Sequence, residues 1–119
     1  MKPKYQFFSN WKYAMDGLLH MIKNETSFKI VIVFIIIFSI LNAFLRVDLS
    51  LQILAQITMI AVMISECVNT AVESCVDLVT QDFHHLAKIA KDTASGAVFL
   101  SITCAVLVWL VLLYKAFCG

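Results

Sequence analysis

Three stretches of the chain carry no charged residue: Ile30 to Leu45, Leu49 to Ser65 and Thr93 to Tyr114. A bilayer crossing needs ~17–25 mostly apolar residues. The third run meets that length alone, and the first two reach it by continuing into polar helix at one end. The pattern predicts membrane helices over about 26–46, 49–79 and 86–116. Ahead of them the apolar positions recur with the helical period. Phe7, Trp11, Ala14, Leu18 and Met21 share one face, and Ser9, Lys12, Asp16, His20 and Lys23 share the other. That pattern predicts an amphipathic helix over about 7–23, lying on the membrane surface. The expected fold is all-α: three transmembrane helices plus an N-terminal surface helix, in one domain over 1–119. The short Arg46-Val47-Asp48 turn leaves room only for an antiparallel helical hairpin.

Composition agrees with this class. Hydrophobic residues make up 61% of the 119 and charged residues 14%, against ~25% charged in soluble domains. The net charge is +1 and there is no basic run, so no nucleic acid is expected as a partner. Lysine and arginine set the orientation. Lys2, Lys4, Lys12, Lys23 and Lys29 precede the first span, and Lys88 and Lys91 lie between the second and third. Only Arg46 and Lys115 fall on the other side. The N-terminus and the 79–92 connection are expected in the cytoplasm, and no signal peptide is evident. The four cysteines lack zinc-site spacing and read as small buried hydrophobes.

One stripe of the second span breaks the apolar pattern. Glu66, Asn69, Glu73 and Asp77 return to one helical face within roughly 60°. A charge at the bilayer centre costs at least ~2.5–3.5 kcal/mol, so this stripe needs a cation, a partner or a reaction to serve. Glu66 to Asp77 spans about 16 Å of helix, a ladder from lipid toward water. Glu25 begins the first span at the same level, and Lys91-Asp92 begin the third. Carboxylates on separate helices suit Mg²⁺, which takes oxygen ligands and phosphate. A lysine suits phosphate, and a deep glutamate suits a base acting on a substrate held in lipid. Together they describe phosphoryl transfer from a soluble nucleotide to a membrane alcohol.

Plainer roles exist for each residue. The stripe could be interhelical hydrogen-bonding glue, and Glu25 a helix N-terminal charge. Lys91 alone reads as a positive-inside lysine, Asp77 and Asp92 as solvated residues or caps, and His84 and His85 as loop residues. A non-enzymatic assembly subunit and an ion path are therefore rival classes. The run from Leu49 to Ile64 offers only Ser50, Gln52, Gln56 and Thr58 as polar residues and no acid, which argues against the ion path.

Several motifs, taken together, resemble the bacterial diacylglycerol kinase and undecaprenol kinase family over nearly the whole chain. They are Glu66-x-x-Asn69-Thr70-Ala71-x-Glu73-x-x-x-Asp77, His85-Leu86-Ala87-Lys88-x-Ala90-Lys91-Asp92 and Ser95-Gly96-Ala97-Val98. Lys12-Tyr13-Ala14-x-x-Gly17 and Asn24-Glu25 before Phe28 support them. The resemblance implies a homotrimeric lipid kinase of the bacterial cell membrane, using ATP with Mg²⁺ at the cytoplasmic interface. It implies Glu66 as general base, Glu25 and Glu73 as Mg²⁺ ligands, and Asn69 and Lys91 on the phosphate side. Asp77 and Asp92 would support the nucleotide, and Ala14 and Gly17 would lie near it.

The chain also departs from the diacylglycerol branch of that family. Val31 stands where that branch has a glutamate, Leu78 where it has an arginine, and Gln6 close to a further arginine position. Val76-Asp77-Leu78-Val79-Thr80 and His84-His85-Leu86-Ala87-Lys88 look more like the undecaprenol kinase branch. Undecaprenol is therefore the expected acceptor, with diacylglycerol as the alternative.

Overall fold

The protein is described by a computed structural model covering residues 6–119. It contains four helices: α1 (Phe7–Asn24), α2 (Thr26–Phe44), α3 (Leu49–Val79) and α4 (His85–Cys118). There is no strand among the described residues. α2, α3 and α4 are each long and apolar enough to cross a membrane. The all-helical architecture of three spans behind an amphipathic first helix is the one the hydropathy pattern predicts.

The core forms where α3 meets α4. Ala55, Met59 and Val62 face Ala105, Trp109 and Leu112. Both triplets have four-then-three spacing, the seam of two helices packed side by side. Alanine at the head of each triplet lets the backbones approach closely, as small residues do between membrane helices. α2 packs against this seam through Val31, Ile35 and Phe38. The Phe38 ring meets Trp109 edge to face, with centroids 4.8 Å apart, a favoured aromatic geometry.

The α2–α3 hairpin is closed by amides. Gln52 Nε2 donates to the carbonyls of Asn42 at 2.9 Å and Leu45 at 3.0 Å. Asn42 Nδ2 returns a bond to the Gln52 carbonyl at 3.2 Å. One turn further in, Gln56 Nε2 donates to Ser39 Oγ at 2.9 Å. Helix ends leave carbonyls without intrahelical partners; Gln52 meets the Leu45 carbonyl there and is a second donor to the Asn42 carbonyl, which also accepts from the Leu45 amide at 3.2 Å. α2 ends at Phe44, with Leu45 extended at φ −84°, ψ 142°. The polar residues Gln52 and Gln56 thus serve the fold.

α1 carries one buried side chain, Met21. Its other face residues Phe7, Trp11 and Leu18 are exposed, so the other described residues leave that apolar face uncovered. Much of the apolar surface of the spans also points outward, as suits helices solvated by lipid tails. Cys75, Cys104 and Cys118 are exposed and Cys67 is half-buried, correcting the expectation of four buried cysteines. They lie on helix faces that this chain does not cover.

Replacing Gln52 with leucine removes both bonds to the end of α2. Interhelical side-chain bonds in membranes average ~0.6 kcal/mol with a maximum near 1.7. Gln52→Leu should therefore lower unfolding stability in detergent by about 1 kcal/mol. An unchanged unfolding midpoint would show that the amide clasp contributes nothing.

Candidate active site

The ladder begins at a buried carboxylate. Glu66 is only 6% exposed, one turn along α3 from the core residue Val62. The first turn of α2 reaches it: Ser27 Oγ donates to Glu66 Oε2 at 3.2 Å. One turn further along α3, Asn69 Nδ2 donates to Glu73 Oε1 at 2.8 Å. The Asn69 Oδ1 atom is buried and has no hydrogen-bond partner. Another turn along, Asp77 accepts from Lys91 Nζ of α4 at 2.7 Å. The three acids of the stripe thus have three different partners, on α2, on α3 itself and on α4.

Glu25 takes the N-cap position of α2, and its carboxylate makes no capping hydrogen bond. Its side chain is not used as a helix cap. Lys91 pairs across to Asp77, and Asp92 pairs along α4 with Lys88. Ala14 and Gly17 are exposed on α1. A Cβ added at Gly17 would meet nothing within 4 Å, so none of the described residues makes a close approach there.

Among the described residues, no three His, Cys, Asp or Glu side chains gather into a group able to hold a metal ion. Mg²⁺ does not require such a cage, because it usually takes one or two carboxylates and completes its shell with phosphate and water. The atoms present fit that chemistry. Glu73 has one oxygen held by Asn69, and the orphaned Asn69 Oδ1 is an oxygen acceptor beside it.

Two cavities flank this line of side chains. An apolar one of about 400 Å³ lies between the three spans, lined by Ile30, Val31, Phe34, Met59, Val62 and Trp109 among others. A polar one of about 460 Å³ lies at the α3–α4 connection, lined by Val76, Thr80, His84, Lys88, Lys91 and Asp92 among others. The order along α3 is therefore apolar cavity at Met59 and Val62, carboxylate line from Glu66 to Glu73, then polar cavity at Val76 and Thr80. Such a gradient can hold an apolar chain and a charged, water-soluble group on either side of one carboxylate.

Two contributors went unread in the sequence. Ser27 shows no local signal, since its partner lies 39 residues away. His84 reads as a loop residue in the sequence, with α4 beginning at about 86. Instead His84 caps α4: its Nδ1 accepts from the Leu86 amide at 3.1 Å, so the helix begins at His85.

Fold and site define a three-span helical membrane protein with a carboxylate ladder at one end of its bundle, running from the buried Glu66 to the exposed Asp77. The chain belongs to the prokaryotic diacylglycerol kinase family, whose model matches residues 12–113. A diacylglycerol kinase of Synechocystis sp. is 60% identical over 38 residues, which cover 31% of this chain and 22% of that protein. A diacylglycerol kinase of Escherichia coli K12 is 39% identical over 46 residues, covering 39% of this chain and 38% of that protein. The matched stretches thus span about a fifth to two-fifths of the length of these relatives.

Replacing His84 with alanine removes the acceptor for the Leu86 amide. Hydrogen exchange at Leu86 should speed up in His84→Ala while the α3–α4 core keeps its protection. Unchanged exchange at Leu86 would rule out the cap.

Proposed function

We propose that this chain transfers the γ-phosphoryl group of ATP to a membrane lipid alcohol, with undecaprenol as the acceptor. The observation that carries this reading is the gradient along α3, in which the buried Glu66 separates an apolar cavity from a polar one. The hydrocarbon tail of the alcohol takes the apolar side. The nucleotide phosphates take the polar side, where Lys88 and Lys91 stand. Val31, which lines the apolar cavity, and Leu78 are the residues that favour undecaprenol. A specific observation favours diacylglycerol as the second reading: the relatives in Synechocystis and Escherichia coli are both diacylglycerol kinases.

The mechanism follows from the residues. Glu66 accepts the proton of the lipid hydroxyl as its oxygen attacks the γ-phosphorus. The new O–P bond forms in line as the bond to the β-phosphate oxygen breaks, and ADP leaves. No phosphoenzyme is needed, because positioning and charge neutralisation supply most of phosphoryl-transfer catalysis. Glu25 and Glu73 would hold Mg²⁺, which when bound neutralises the developing charge on the phosphates. Asn69 orients Glu73. Lys91 faces the γ-phosphate, and Asp77 holds the Lys91 ammonium at the α3–α4 boundary. Asp92, with Ala14 and Gly17 on α1, flanks the nucleotide.

We place the N-terminus and this end of the bundle in the cytoplasm of a bacterial cell, where ATP is available. The lysine distribution supports this orientation. We also propose a homotrimer of one-domain subunits. The family membership supports such an assembly.

The test is phosphate transfer in lipid–detergent micelles. Glu66→Gln keeps a hydrogen-bonding side chain of the same shape but no base, and should cut turnover at least 100-fold while the protein stays folded. Loss of a general base costs ~10²–10⁴-fold. Full turnover would remove Glu66 as the base and return the stripe to a helix-gluing role. Glu73→Ala should raise the Mg²⁺ concentration needed for half-maximal activity or abolish activity. An unchanged metal dependence would count against Glu73 as a ligand.

A further inference from the structure

The Glu66 carboxylate is fastened at one oxygen only. Among the described residues Ser27 Oγ, at 3.2 Å from Oε2, is the only donor to it. Oε1 has no donor, and it is not among the buried unpartnered atoms. An ionised carboxylate offers about four lone-pair sites, so one oxygen can be held while the other receives a proton.

Ser27 occupies the first turn of α2, where a serine hydroxyl often bonds its own backbone. Here it reaches across to α3 instead. A glutamate has three side-chain torsions, and one bond from a neighbouring helix removes much of that freedom. The contact also ties the start of α2, and with it Glu25 two residues earlier, to the middle of α3.

We propose that Ser27 is a positioning residue for Glu66. Its hydroxyl holds Oε2 and thereby presents Oε1 to the hydroxyl of the lipid substrate. The proposal rests on the kinase reading of Glu66. Ser27 itself touches no reacting atom, so its contribution belongs to the transfer step. It should alter kcat and leave the KM for ATP alone.

The experiment compares Ser27→Ala, Ser27→Thr and Glu66→Gln in lipid micelles with ATP as phosphoryl donor. Ser27→Ala should lower kcat about tenfold, the scale of one hydrogen bond to a charged group, with the KM for ATP unchanged. Ser27→Thr retains the hydroxyl and should restore most of the activity. The second readout does not depend on turnover. The infrared difference between wild type and Glu66→Gln assigns the Glu66 carboxylate stretch, and that band should move in Ser27→Ala and stay in Ser27→Thr. Wild-type kcat in Ser27→Ala beside an inactive Glu66→Gln overturns the role of Ser27 alone. So does an unmoved carboxylate band. Full turnover in Glu66→Gln overturns the kinase reading beneath both.

Discussion

Burying a carboxylate on a membrane-spanning helix costs at least ~2.5–3.5 kcal/mol, and the surroundings of Glu66 are shaped by that cost. Ser27 supplies a hydrogen bond from α2. Asn69 and Glu73 pair one turn further along, and Asp77 meets Lys91 near the end of the helix. Each side chain on the stripe is thus met by a partner, while the Asn69 Oδ1 and Glu66 Oε1 atoms have none among the described residues. Toward the other end of α3 the interior turns apolar, and hydrogen bonding passes to Gln52 and Gln56 at the α2 contact. The bundle therefore has a polar end built for a site and a clasped end built for stability.

Under the proposed kinase reading, this division of labour suits a substrate that is mostly lipid and a second that is a soluble nucleotide. An apolar molecule with one hydroxyl needs a cavity without polar atoms for its tail and one base for its head. Ile30, Val31, Phe34, Met59 and Val62 line such a cavity, and Val62 lies one turn before Glu66 on α3. The nucleotide is charged and comes from water, and the opposite cavity carries Lys88 and Lys91 at its wall. Phosphoryl transfer demands little covalent chemistry of the protein, so a bundle of four helices with a few well-held side chains is sufficient.

The spans were legible because uncharged runs of membrane length have few other readings, and the acidic stripe was legible because its spacing is local. What escaped were contacts between distant segments. The clasp at the end of α2 depends on Gln52, which sits beyond the turn. Ser27 looks ordinary until α3 is laid beside it. The pairing of Lys91 with Asp77 joins residues 14 apart, and nothing at Lys91 alone distinguishes an aspartate partner from a phosphate. His84 was missed because histidine is not among the usual N-cap residues. The apolar face of α1 was legible from its helical period, and among the described residues only Met21 of that face is buried.

The most direct test of the account is the acceptor used by the purified protein. Radiolabelled ATP is supplied to micelles containing undecaprenol or diacylglycerol, and label is followed into the lipid. The account predicts label in undecaprenol at a higher kcat/KM than in diacylglycerol. Absence of label from both lipids, with a folded protein and Mg²⁺ present, would contradict it.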